Sequence, residues 1–137
     1  METIKMTKNE AAALYNGLVE TKSLKNKTFA LKAAKNMKVI KDALQDIEDL
    51  GKPSDEFIEL SIQVQKIIKE DPENGKLKIE ELEKNNSELV EKRKAQMELV
   101  SERLLEDIEL DLNVFSEDIL PEEITTEQIN NIIKIIK

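Results

Sequence analysis

The sequence predicts a mainly α-helical protein: an elongated antiparallel helical hairpin or bundle, a short C-terminal helix, and a possible minor two-stranded element. Three observations lead there. Apolar residues recur every three or four positions over most of the chain, the period of a helix with one buried face. Helix-start and helix-stop signals punctuate those runs at intervals typical of helices. Aromatic residues make up only 3% of the chain, so Leu, Ile, Val, Met and Ala must build the core, as in rows of interdigitated helices. With 137 residues, no internal repeat and no low-complexity linker, the chain reads as a single helical domain, 1–137. Within it lie basic N-terminal helices (8–50), a long helical hairpin (54–108), and an extended segment leading to an Ile-rich terminal helix (109–137).

The first helix is predicted from Lys8 to Thr21. Thr7-Lys8-Asn9-Glu10 has the form of a capping box, and Leu14, Tyr15 and Leu18 share a face with Ala11 beside them. After a polar connection at 22–27, a second helix is predicted from Thr28 to Leu50, with Phe29, Ala33, Met37, Ile40, Ala43, Leu44 and Ile47 as its stripe. Gly51 is expected to end it in a left-handed conformation, and Pro53 blocks continuation. Ser54 is a good N-cap for a third helix, with Asp55 and Glu56 at the positive end of its dipole and an apolar face of Phe57, Leu60, Val64, Ile67 and Ile68. Asp71-Pro72-Glu73-Asn74-Gly75 is a turn. The fourth helix is predicted to be the longest. Ile79, Leu82, Leu89, Val90, Met97, Val100, Leu104 and Ile108 keep helical spacing, with Asn86 and Arg93 interrupting the stripe.

Beyond the fourth helix the period changes. Ile108, Leu110, Leu112 and Val114 alternate with Glu109, Asp111 and Asn113, as in a half-buried strand, although an apolar overhang of the helix fits nearly as well. Leu77 and Ile79 alternate with Lys76 and Lys78, and pairing of these two segments is one way to form a two-stranded element. Thr125-Thr126-Glu127-Gln128 is a second capping box, opening a short helix with Ile129, Ile132, Ile133 and Ile136 on its apolar side and Ile135 on a neighbouring face. So short and apolar a helix must dock, either on its own chain or on a partner.

Composition removes much chemistry. There is no Cys and no His, hence no thiol nucleophile, disulfide, thiolate metal site or imidazole acid–base group. The three glycines, Gly17, Gly51 and Gly75, form no phosphate loop. The acidic groups at Glu80, Glu81 and Glu83, and at Glu106, Asp107, Glu109 and Asp111, read as solvated faces with no His to complete a metal site. The turn at 71–75 lacks the ligand spacing of a calcium loop. The expectation is a non-enzymatic protein with no cofactor and no metal. Residues 1–6 are polar and no run of 18 apolar residues exists, which predicts neither secretory signal nor membrane contact and makes the cytoplasm the expected location.

The net charge of −8 is unevenly spread. Residues 1–41 hold nine Lys against three acids, net +6; residues 42–137 hold 12 basic and 26 acidic residues, net −14. Lys32, Lys35, Lys38 and Lys41 are three apart and form a candidate anion-binding face. No Arg accompanies them, which weakens a nucleic-acid reading. The leading expectation is binding of a protein partner, with homo-oligomerisation, through an acidic and apolar helical surface. Candidate partner-binding residues are Leu104 and Ile108 at the end of the long helix and Ile129, Ile132, Ile133 and Ile136 in the tail. The competing expectation is an oligomeric sponge for a nucleotide signal, or a nucleic-acid binder, using the Lys face.

Several segments carry a resemblance: Asn9-Glu10-Ala11 leading to Leu14-Tyr15-Asn16-Gly17-Leu18, Lys27-Thr28-Phe29-Ala30, Ala34-Lys35-Asn36, Pro53-Ser54-Asp55-Glu56-Phe57, Glu73-Asn74-Gly75-Lys76, and Leu120-Pro121 with Ile124-Thr125-Thr126-Glu127-Gln128-Ile129. In this layout the chain resembles a group of small phage- and prophage-encoded helical proteins of uncharacterised function. The resemblance spans most of the chain and implies a phage gene product acting in a bacterial cytoplasm; the leading expectation for its role, separate from the resemblance, is a virion-assembly accessory or an inhibitor of a host defence protein. Its motifs are caps and turns, so it carries over no activity and no functional residue.

Overall fold

The computed structural model describes every residue from Met1 to Lys137. Its elements run β1 (Glu2–Thr7), α1 (Lys8–Glu20), α2 (Lys27–Ala43), α3 (Gln45–Leu50), α4 (Asp55–Glu70), α5 (Gly75–Asn85), α6 (Ser87–Leu104), β2 (Asp107–Leu112) and α7 (Thr126–Asn131), with single 3-10 turns at Glu117–Ile119 and Ile133–Ile135. The fold is mainly α-helical, with one small antiparallel sheet. Where the sequence was read as one domain, the contacts divide the chain into two compact units. Residues 1–47 and 102–137 form the first, and residues 48–101 form the second.

The first unit holds most of the core. β1 and β2 pair antiparallel, with Ile4 opposite Leu110, Met6 opposite Ile108 and Glu2 opposite Leu112. Alternation along both strands sends Ile4, Met6, Ile108, Leu110 and Leu112 toward the helices, and Thr3, Lys5, Glu109 and Asp111 outward. On the outer side Thr3 Oγ1 donates to the Asp111 carboxylate, and Lys5 lies 3.7 Å from Asp107. Of the two readings open at 108–114, strand or helical overhang, the strand is the one present, ending at Leu112, and its partner is the N-terminus. Leu77 and Ile79 lie inside α5, because nothing interrupts the hydrogen-bond ladder of that helix.

Both predicted capping boxes form. Thr7 Oγ1 accepts from the Glu10 N–H while the Glu10 carboxylate accepts from the Thr7 N–H, each at 3.1 Å. Thr125 and Gln128 do the same at 3.1 and 2.9 Å. The core gathers Ala11, Leu14 and Leu18 from α1, Phe29, Ala33 and Ile40 from α2, the inward strand residues, Phe115, Ile132 and Ile135. Phe29 and Phe115 stack with ring centroids 4.7 Å apart and a 37° tilt. α7 lies close on α1: a Cβ on Gly17 would meet the Asn131 carbonyl oxygen at 2.9 Å. Backbone cannot yield there as a flexible side chain would. Gly17→Ala is expected to cost about 1–3 kcal/mol by overpacking, read as a lower urea midpoint at unchanged m-value.

The C-terminal tail departs from the expected single amphipathic helix. α7 stops at Asn131, and the 3-10 turn that follows rotates Ile132 and Ile135 fully inward. Phe115 closes the arrangement. Its N–H donates to the Ile135 carbonyl at 2.7 Å, and its carbonyl accepts from the Lys137 N–H at 2.9 Å. Ile133 is left 53% exposed, and Ile129 and Ile136 are half-buried.

A polar residue in the core escaped the sequence reading. Asn36 is fully buried on α2, yet every polar atom of its amide is used. Its Oδ1 accepts from the Asn113 N–H at 2.7 Å and its Nδ2 donates to the Asn113 carbonyl at 2.9 Å. The side chain thereby caps the chain just past β2, where the strand has no further partner.

Two helices are broken where the sequence predicted continuous ones. The second ends at Ala43 and resumes at Gln45. The long fourth helix is split at Asn86, whose Nδ2 donates to the Leu82 carbonyl at 2.8 Å while its own N–H is shared between Leu82 and Glu83. A side chain competing for the carbonyl one turn back interrupts the ladder. α6 then ends at Leu104 rather than Ile108, because Asp107 onward is taken up in β2.

Candidate interaction surface

The second unit is a helical hairpin with very little interior. α4 starts on Ser54, whose hydroxyl accepts from the Phe57 N–H at 3.2 Å, and turns back at Asp71. There the Asp71 carboxylate accepts from the Asn74 N–H at 3.2 Å and pairs with Lys78 at 3.0 Å. These two donors, Lys78 first, hold the Asp71 carboxyl below its ordinary range. The segment is a structural turn, its carboxylate already occupied. α5 begins tight against α4, since a Cβ on Gly75 would meet Ile67 Cγ2 at 3.3 Å.

α4 is apolar on two opposite sides. Its inner side presents Phe57, Leu60, Val64 and Ile67, with only Leu60 fully buried. Its outer side presents Ile58 at 43% and Ile62 at 62% exposure. At 3.6 residues per turn these two lie roughly 160° around the helix from Leu60. A shallow cleft of about 400 Å³ is lined by both of them together with Pro53, Phe57 and Arg93. Exposed apolar side chains continue around the hairpin with Ile68, Leu77, Met97 and Leu99.

Arg93, which breaks the stripe in sequence, has a structural task. Its guanidinium sits 5.4 Å above the Phe57 ring and donates to the Gly51 carbonyl at 2.8 Å and the Gln96 side chain at 2.9 Å. Gln96 in turn donates to the carbonyls of Leu50 and Lys52, both at 2.6 Å. α6 side chains thus satisfy the free carbonyls at the end of α3, a role expected of a left-handed Gly51. No glycine in the chain has a positive φ, so that expectation is corrected.

The other candidate residues are scattered. Lys32 is half-buried, and its Nζ lies 3.4 Å from the Val114 carbonyl. Lys35 and Lys41 are exposed, and Lys38 is ion-paired with Asp42 at 3.0 Å. A spacing of three turns each lysine about 60° past the last, so the four span half the helix circumference rather than one face. Of the apolar candidates, Ile132 is fully buried, which corrects its assignment to a partner surface. Leu104, Ile108, Ile129 and Ile136 are half-buried, and Ile133 alone is well exposed. The sequence missed Ile58 and Ile62 as surface residues. The signal available was a helix with more apolar residues than one face can hold.

Three of the four acids at the strand are engaged: Glu106 with Lys8 at 3.0 Å, Asp107 with Lys5, Asp111 with Thr3. Glu10 pairs with Lys134 at 2.6 Å, and its carboxyl is held below the ordinary value by that hydrogen bond first and by the Thr7 N–H second. No helix is long and apolar enough to cross a membrane.

Fold and surface together define a mainly α-helical protein of two units, one a small strand-and-helix core and the other an apolar-faced helical hairpin. No protein-family model, curated protein or solved structure matches this chain.

Proposed function

We propose that this protein works by binding another protein, without catalysing a reaction, and that the hairpin of the second unit is its binding surface. One observation carries the reading. Of the ten well-exposed large apolar residues in the chain, six belong to the second unit, whereas of fifteen buried hydrophobic residues only Leu60 and Val100 do. Helices this amphipathic are stable in water only when their apolar sides are covered. Residues 48–101 carry 14 acids against nine basic residues, net −5, so the fitting partner presents an apolar patch edged by Lys and Arg.

Two further points support binding without chemistry. The Glu10 and Asp71 carboxyls are held low, by Lys134 and Lys78 first, opposite to what a general acid requires. The chain also lacks Cys and His. The resemblance to phage- and prophage-encoded helical proteins supports a setting in the bacterial cytoplasm, with the partner a virion component during assembly or a host defence protein that is blocked.

The test compares capture of proteins from infected cells by three forms of the full chain. Ile62→Ser with Ile68→Ser and Leu77→Ser is expected to lose a partner that the unmutated chain retains, by about 100-fold in affinity for three anchor residues. Lys35→Glu with Lys38→Glu is expected to keep it. The reverse pattern, with binding lost from the lysine variant and steeply weakened by salt, establishes anion binding instead.

A further inference from the structure

We infer that the outer side of α4 is a self-complementary surface on which a second copy of this chain docks its own α4, antiparallel. The inference rests on the hairpin being an interaction surface and names the occupant of one part of it.

The ground is the order of side chains around Ile58 and Ile62. Asp55 and Glu59 stand near the start of α4, Lys66 and Lys69 near its end, all exposed and none ion-paired within the chain. By helical rotation Asp55, Glu59 and Lys66 fall along one edge of the outer stripe, with Glu70 at the outer limit of that edge in the last residue of the helix and Lys69 at the far end of the stripe, while Ser61 and Gln65 fall along the other edge. A two-fold axis crossing α4 beside Ile62 reverses the helix but keeps each edge against its own copy. Glu59 then meets Lys66 of the second copy, Asp55 meets its Lys69, and Ser61 meets its Gln65, while the two Ile62 side chains touch at the axis. Parallel pairing does none of this, because it sets the charged edge against the Ser61–Gln65 edge. One helix face buries less than the roughly 1,200 Å² of a standard interface, so the dimer is expected to be weak, with Kd on the order of 10–100 μM.

Sedimentation equilibrium of the full chain alone, from about 10 μM to about 1 mM, tests this. The unmutated chain is expected to dimerise, less so in high salt. Asp55→Lys with Glu59→Lys leaves the stripe basic except for Glu70 at its end, and Lys66→Glu with Lys69→Glu makes it wholly acidic. Each variant alone is expected to be monomeric, and an equimolar mixture of the two to form a heterodimer. Misfolding cannot produce that recovery. A monomeric unmutated chain throughout the range overturns the inference, as does a mixture that fails to associate. Ile62→Glu that dimerises like the unmutated chain overturns it too. The charge variants leave Ile62, Ile68 and Leu77 intact, and no other protein is present. Loss of self-pairing therefore leaves the protein-binding reading standing, and failed capture of a partner leaves the dimer standing.

Discussion

A chain ending at Asn131 is expected to lose the cooperative unfolding transition of the first unit. Truncation there removes Ile132 and Ile135, both with no exposed surface, and both backbone hydrogen bonds that clasp Phe115. Emptying a buried isoleucine site costs about 2–5 kcal/mol, and two such sites rival the whole stability of a small domain, about 5–15 kcal/mol. Phe115, stacked on Phe29, would be left with an open flank. Thermal melts followed by circular dichroism check this, with hydrogen exchange at α1 and the paired strands reporting the first unit separately. A truncated chain that melts like the full one would show that the tail lies outside the core. Ile135→Ala is the graded version, expected to cost about 2–5 kcal/mol. A tail deletion is therefore unsuitable for mapping a binding surface, since loss of binding would follow from loss of the fold.

The second large effect is expected at Asn36. Asn36→Leu keeps approximate size but strips the partner from the Asn113 N–H and carbonyl, and each unpaired group costs about 1–3 kcal/mol. The expected loss is about 2–5 kcal/mol, seen in the denaturant midpoint. Asn36→Asp distinguishes a polar clasp from mere packing. Its carboxylate can still accept from the Asn113 N–H but faces the Asn113 carbonyl with no proton to donate. Burial and that carbonyl favour the neutral form, raising the folded-state pKa above the unfolded one. Such a group is tolerated below its unfolded pKa and becomes increasingly destabilising as pH rises through the folded pKa. The Asn36→Asp penalty is thus expected to shrink on acidification, whereas the Asn36→Leu penalty stays constant.

Legibility in the sequence followed the range of the interaction. Thr7 with Glu10, Ser54 with Phe57 and Thr125 with Gln128 cap their helices as read, because each cap joins residues three apart. The stripe of Phe29, Ala33 and Ile40 was legible because helical period alone sorts inner from outer positions. The strand at 108–112 was legible in its period but not in its partner. β1 offers only Ile4 and Met6 as apolar alternation, too short a signal to stand out, and it pairs across about a hundred residues. Asn36 looked like one more polar residue on a helix, since nothing local reveals that the backbone of Asn113 lies opposite.

The surface divides along the same line. Asn86 and Arg93 were legible as interruptions of a stripe, but their purposes belong to groups elsewhere: Leu82 one turn back, Gly51 and Phe57 across the hairpin. The tail announced that it must dock, and only the structure decided that it docks on its own core, through a 3-10 turn that exchanges Ile133 for Ile135 on the inner side. What the sequence by itself determined was therefore the helices, their caps and the helical class. Periodicity and capping depend on neighbours within a turn or two. Tertiary structure alone decided which apolar residues stay in water, because burial depends on how much of each stripe the rest of the chain can cover. In the second unit the chain covers one side of α4 and leaves Ile58 and Ile62 on the other.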